Sequence, residues 1–137
     1  AVFVDGGGVG GGVVDRLRQL HVQVIEVNFG SKAEDARFQN KRAEMWGNMR
    51  DWLDGGAIPR DQELIDDLIG VEYGFTPTNK IQLEKKEDMK KRGLASPDLG
   101  DALALTFAYP VAPKGMNKHR NEMATKRRNY DPFARKR

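Results

Sequence analysis

Apolar residues recur along this chain with two periods, and those periods mark out its elements. The opening AVFV is a continuous apolar run rich in Val and Phe that ends on Asp5, which predicts a buried strand over residues 1–5. Glycines crowd the next stretch, at Gly6 to Gly8 and Gly10 to Gly12. Beyond them Val13, Val14, Leu17 and Leu20 share one helical face, so residues 13–20 read as a helix entered through a glycine turn. Residues 22–29 (VQVIEVNF) alternate and stop at Gly30, the pattern of a second strand. Strand, helix and strand in succession form a βαβ unit, parallel by default.

The period then changes to that of helices. Phe38, Arg42, Met45, Met49, Trp52 and Leu53 recur at spacings near three and four, and Gly55 and Gly56 supply a stop, predicting a helix over residues 40–54. Trp46 and Trp52 are expected to pack rather than to stack on bases. Leu64, Ile65, Leu68 and Ile69 define a second helix over 61–69. Residues 71–75 and 80–83 read as two short strands joined by TPTN, whose Pro77 and Asn79 are turn residues, so a hairpin is expected. Residues 85–92 (KKEDMKKR) read as a charged helical turn ending at Gly93. Residues 96–109 form the last element, with Ser96 as a cap, Pro97 suited to the first helical position, and an apolar body at Leu99, Ala102, Leu103 and Leu105.

Composition narrows the class. A length of 137 residues with 39% hydrophobic and 31% charged side chains suits one soluble domain able to bury a core. No window has the eighteen or so apolar residues of a membrane span, and no basic region leads into an apolar one at the amino end. The absence of cysteine removes thiolate metal sites, and with two histidines, His21 and His119, carboxylates are the expected ligands for any metal. Charge is uneven along the chain. Residues 114–137 carry nine basic and two acidic side chains, whereas residues 1–113 carry 14 basic and 18 acidic ones. We therefore expect a body over 1–113 and a basic, flexible tail over 114–137 able to meet a polyanion. Ala1 and the strand already under way at AVFVD suggest that sequence upstream is missing.

Two kinds of chemistry can begin on a strand, an acid and a glycine turn. Gly6, Gly8 and Gly11 satisfy G-x-G-x-x-G, and Glu26 lies about 20 residues on, as in a dinucleotide-binding Rossmann unit. Against this reading, Asp5 would stand beside the pyrophosphate, and no further βαβ repeat follows. A metal-dependent nuclease needs instead a second acidic site folding against Asp5. Asp98 and Asp101, three apart on the last helix, supply it. Asp101 lies inside the apolar DALAL, where an unpaired carboxylate is costly and a divalent cation offsets that cost. Hard oxygen ligands suit Mg²⁺ or Mn²⁺, and two such ions about 4 Å apart activate water and stabilise the leaving oxygen in phosphodiester cleavage. For Asp98 a charge favourable to the helix dipole is an equal reading.

The segments FVDGGGVGGGVVDRL, NKRAEMWGNMRDWL, KIQLEKKEDMKKRG and SPDLGDALALTFA, taken in order, resemble the C-terminal nuclease domain of the large terminase subunit of tailed bacteriophages and prophages. The resemblance runs from about residue 1 to 111. It implies an α/β, ribonuclease H-like fold with a mixed central sheet flanked by helices, and metal-dependent cleavage of concatemeric DNA during packaging. By the resemblance Asp5 matches the family's second acidic position and Asp101 its third, with Asp98 a neighbouring acid that could assist. The first acid has no counterpart here, so a partial nuclease domain lacking its N-terminal strands is expected. The ATPase motor is absent too, since the sequence contains no G-x-x-x-x-G-K-[ST].

The implied cofactors are two Mg²⁺ or Mn²⁺ ions held by Asp5, Asp101 and Asp98. The implied partners are double-stranded DNA, the terminase small subunit and the portal protein, in the cytoplasm of the bacterial host, with no membrane role. Lys85, Lys86, Lys90, Lys91 and Arg92, shortly before the acidic pair, are candidates for phosphate contacts, which position DNA without reading its sequence. The alternatives are the Rossmann-type dinucleotide domain and a non-catalytic nucleic-acid-binding packaging module.

Overall fold

Strands β1 (Val2–Asp5) and β2 (Val24–Val27) lie parallel, with Val2 opposite Val24 and Asp5 opposite Val27, and α1 (Gly10–Gln19) connects them. The computed structural model describes residues 1–8 and 10–111, so the expected basic tail lies outside the described residues. Helix α1 begins three residues earlier than its apolar pattern predicts. Its first residue rests on the strand end, where a Cβ at Gly10 would sit 1.8 Å from the Asp5 carbonyl oxygen. Only glycine permits that approach. The apolar face of α1 is also narrower than expected, for Val14 is buried while Val13 and Leu20 are exposed. Likewise Val2 is exposed in β1 and the rest of that strand half-buried. Among the described residues β2 is the only strand beside β1, which leaves the pair less enclosed than a strand inside a wider sheet.

Helix α2 (Lys41–Leu53) is the central element. Asn40 caps it by accepting from the Ala43 amide at 3.0 Å, and the Gly55 and Gly56 amides bond back to the Trp52 carbonyl. Residues Lys41 to Trp46 are all buried, because neighbours surround the first turns of α2 on every side. The buried Lys41 is neutralised there by Glu44 at 2.8 Å and lies 4.4 Å from the Tyr109 ring centre.

Helix α3 (Gln62–Gly70), capped by Asp61, leads into the antiparallel hairpin β3 (Tyr73–Phe75) and β4 (Ile81–Leu83). The TPTN turn is as expected, with Asn79 at a φ of 59°. Residues 37–39 extend the hairpin on its other edge, through Gln39 N–H to the Ile81 carbonyl and Ile81 N–H to the Arg37 carbonyl. Helices α4 (Lys86–Lys91) and α5 (Asp98–Leu105) complete the described chain. The expected charged turn is α4, anchored by the buried Met89. The last helix ends at Leu105, four residues short of its predicted extent.

Both components of the expected mixed sheet are present, as separate parallel and antiparallel two-stranded ladders flanked by helices. The core lies between β2, α2 and the end of the chain: Val27, Met45, Trp46, Met49, Ala104 and Ala108, with Phe3 packed against them. Among the described residues no helix is long and apolar enough to cross a membrane.

Candidate functional site

Asp5 ends β1, and strand alternation places it on the same face as Phe3 and its register partner Val27. That face is the one covered by the core and by α5, which packs against β1. Helix α5 carries Asp101, yet among the described residues the two acids have separate partners, Asp5 within its own turn and Asp101 on α2 and α4. Asp5 is half-buried, and its Oδ1 accepts the Gly7 amide at 3.0 Å. In a Rossmann turn the glycine amides are directed at a phosphate; here one of them is already bonded to the protein's own carboxylate.

Asp101, 5% exposed, is with Glu44 one of the two buried acids among the described residues. Its Oδ1 accepts Arg42 Nε at 2.9 Å and the Trp46 indole N–H at 2.8 Å. Lys86 Nζ approaches Oδ2 to 2.9 Å, an ion pair outside hydrogen-bonding direction, so Oδ2 is buried without a hydrogen bond among the described residues. Arg42 in turn donates from Nη1 to the Glu84 carbonyl, lies over the Trp46 ring, and keeps Nη2 buried without a partner among the described residues. Asp101 is thus a carboxylate with one oxygen held by α2 and the other facing a half-buried lysine of α4.

A carboxylate of α3 holds α5 in place. Ser96, the expected cap, makes no such bond; the helix starts after Pro97 with no side-chain cap of its own. Asp67 of α3 substitutes, its Oδ2 accepting the Leu99 amide at 2.9 Å and the Gly100 amide at 3.0 Å. Asp67→Ala removes this cap and should cost about 1 kcal/mol, within the range of lost helix caps. Urea unfolding of the two proteins side by side measures it. Gly100 is needed at the same corner, because a Cβ there would lie 2.9 Å from Cη2 of the Trp46 ring.

The other acid of the expected pair goes elsewhere. Asp98 is exposed in the first turn of α5 while Asp101 points inward, so spacing put them on one helix without putting them in one environment. Among the described residues no three His, Asp or Glu side chains are gathered closely enough to hold a metal ion.

The five expected phosphate contacts also divide. Lys85 and Lys90 are exposed, Lys86 faces Asp101, and Lys91 pairs with Asp88 at 2.7 Å. Arg92 clamps Glu84 with Nε at 2.9 Å, meets Glu72 at 3.2 Å and donates to the Gly70 carbonyl, tying α4 to the hairpin. Arg92 holds the Glu84 carboxyl below its ordinary value of 4.5. Ionised Glu84 therefore adds its full stability above that pH, and the contribution fades as pH falls through the lower folded value. The melting temperature of Glu84→Gln should lie below that of the parent near neutral pH, with the gap closing in acid.

Arg42, Trp46 and Asp67 were not singled out as site residues by sequence. Arg42 had a signal: a guanidinium on the apolar stripe of α2 demands a buried acid. Trp46 and Asp67 had none, since an indole N–H and a helix-end carboxylate find their partners only through tertiary packing.

No family model matches the chain, and no curated protein matches it. Solved structures do. One is the manganese form of a lysine-to-alanine mutant of the nuclease domain of the large terminase subunit gp2 of bacterial virus Sf6. It matches with a TM-score of 0.66 at 23% identity, over 79% of this chain and 65% of that one. The calcium form of a lysine-to-alanine mutant gp2c matches equally, at 0.66 and 23%, over 79% of this chain and 64% of that one. A further structure of the Sf6 nuclease domain matches at 0.62 and 21%, over 80% and 65% of the two chains. This chain spans about 65% of the length of the domains it matches. Its α/β fold is thus similar to that of the Sf6 large-terminase nuclease domain.

Proposed function

We propose that this chain is part of a divalent-metal-dependent endodeoxyribonuclease domain of the phage terminase large subunit type, which cuts concatemeric viral DNA during genome packaging. The observation that carries the reading is the arrangement of Asp101. It is a buried carboxylate on α5, the helix that packs against the strand ending in Asp5, with one oxygen fixed by Arg42 and Trp46 and the other ion-paired with Lys86. Asp5 presents a similar pattern, with Oδ1 bonded to the Gly7 amide. Carboxylate oxygens are the hard donors that suit Mg²⁺ or Mn²⁺, and at Asp101 the ion would have to displace the Lys86 ammonium from Oδ2.

A bound divalent ion would supply Lewis-acid stabilisation of charge on the scissile phosphate. The residues of this chain supply the rest. Asp5 and Asp101 orient the ion, Lys86 neutralises Oδ2 in its absence, and the half-buried setting limits water. Asp98, at the exposed start of α5, is in this reading an auxiliary acid at the rim. Lys85 and Lys90, exposed on the α4 segment beside Lys86, are best placed to meet DNA phosphates, while Lys91 and Arg92 also brace the fold. Manganese or calcium accompanies the similar Sf6 domains, which favours a divalent ion here. In this reading two ions act, the substrate is double-stranded DNA in the host cytoplasm, and the terminase small subunit and portal are the assembly partners. Calorimetry with Mn²⁺ and nicking of supercoiled plasmid, on the parent, Asp5→Ala and Asp101→Asn, test it. Metal binding and cleavage indifferent to both substitutions would refute it.

A further inference from the structure

Strand β3 is the outer edge of its ladder. The order across that ladder is residues 37–39, β4 and β3, and among the described residues nothing pairs with the far side of β3. Its unpaired groups can be named. The Glu84 amide donates to the Glu72 carbonyl at 2.8 Å and the Thr76 amide to the Lys80 carbonyl at 2.9 Å, so the residues bonded to β4 are Glu72, Gly74 and Thr76. Tyr73 and Phe75 alternate with them, opposite Leu83 and Ile81, and direct their own N–H and C=O groups outward. Their side chains are uncovered as well, 62% and 65% exposed, with ring centres 6.2 Å apart on one face of the strand. That face also carries Ile81 and Leu83, which with Tyr73 line an apolar cleft against α2. Exposed edges are commonly guarded by charge, and the Tyr-Gly-Phe of β3 has none.

We propose that β3 pairs with β3 of a second copy of this chain, antiparallel about Gly74, so that Tyr73 of each copy lies opposite Phe75 of the other. The register follows from the outward groups. A two-fold axis at Gly74 sets against each other the two residues whose N–H and C=O are free to exchange bonds, which makes the edge complementary to itself. A slip by one residue would set Tyr73 against Gly74, whose backbone is already bonded to β4. An axis at Phe75 would face Tyr73 with Pro77, and one at Tyr73 would face Phe75 with Val71; only the axis at Gly74 sets both aromatic residues opposite aromatic ones, a favourable cross-strand pairing. The charges agree with it, because Glu72 falls opposite Thr76 and no like charges meet directly. Pro77 falls opposite Val71 and, lacking an N–H, ends the ladder there. So short a ladder belongs with small, transient interfaces, and the association depends on concentration.

Sedimentation equilibrium of the full chain from about 10 μM to about 1 mM, a range suited to weak association, tests the pairing. The parent should pass from monomer toward dimer across it. Tyr73→Lys and Phe75→Glu each remove an exposed ring and should each weaken self-association roughly tenfold, as expected for loss of an aromatic anchor near the centre of an interface. Thermal unfolding checks that both variants fold. Mixed in equal amounts, the two variants should pair with each other, since the introduced ammonium of one then meets the introduced carboxylate of the other while Phe75 of the first meets Tyr73 of the second. A parent that stays monomeric throughout refutes the proposal, and so does a mixture that stays monomeric. Self-association untouched by either substitution places the contact on another surface and refutes it too. Association abolished by about 0.5 M salt would belong to the basic residues 114–137 meeting the acidic body, because backbone pairing is not screened, and would likewise overturn it. On the unsubstituted chain, the Tyr73 and Phe75 amides should gain protection from hydrogen exchange as concentration rises. Amides that stay unprotected in the dimer would rule β3 out.

Discussion

Asp101→Asn should abolish Mn²⁺-dependent plasmid cleavage and reduce Mn²⁺ affinity by more than the roughly 10–100-fold that changes in a metal site's outer shell cause. The substitution is nearly isosteric, and Asn can still accept the Trp46 N–H through its amide oxygen. What it removes is the negative charge opposite Lys86 and the oxygen available at Oδ2. An amide NH₂ directed at Lys86 or at a divalent ion is repulsive, so the loss belongs to the site rather than to the core. Thermal unfolding separates the two: a folded Asp101→Asn protein without metal binding supports the reading, and a folded one that binds and cuts as the parent does refutes it. Asp5→Ala should act in the same direction, because in the proposed function it removes the second metal-binding acid.

The largest stability effect should come from the other end of the ion pair. Arg42→Met retains the buried stem and deletes the guanidinium that bonds Asp101 Oδ1 and the Glu84 carbonyl. Breaking one side of a buried pair costs about 3–5 kcal/mol, because the remaining charge stays in a poor solvent. Here Trp46 and Lys86 still attend Asp101, so the cost should fall near 3 kcal/mol, a large part of the stability of a small domain. Urea denaturation of Arg42→Met and of the double variant Arg42→Met/Asp101→Leu tests the mechanism. Replacing both charges by apolar groups should recover part of the loss. A double variant no more stable than the single one would mean that Arg42 acts through packing alone.

These two expectations concern residues that the sequence revealed unequally. Asp5 and Asp101 stood out in the sequence as candidates because an acid in an apolar context is anomalous, whether it ends the run AVFV or interrupts DALAL. Asp98 was legible by the same rule, yet it stands in solvent, since spacing three residues apart fixes an angle around the helix and not the depth of its environment. The basic run 85–92 was seen as one surface. The structure divides it by partner: Lys86 to Asp101, Lys91 to Asp88, Arg92 to Glu84 and Glu72.

By itself the sequence determined the elements and their order: a strand, helix and strand, then α2 and α3, the hairpin and the last helix. These depend on hydrophobic period, caps and turn residues, all local to a few positions along the chain. It also excluded thiolate metal ligands and, with two histidines in the chain, made carboxylates the expected ones. Tertiary structure alone decided that Asp67 caps a helix 32 residues away and that Trp46 and Arg42 take one oxygen of Asp101. Those contacts join positions 32 to 59 residues apart, and no period within one element encodes them. They exist because burying the apolar faces of α2 and α5 against each other leaves polar groups inside, and each such group must find its partner there.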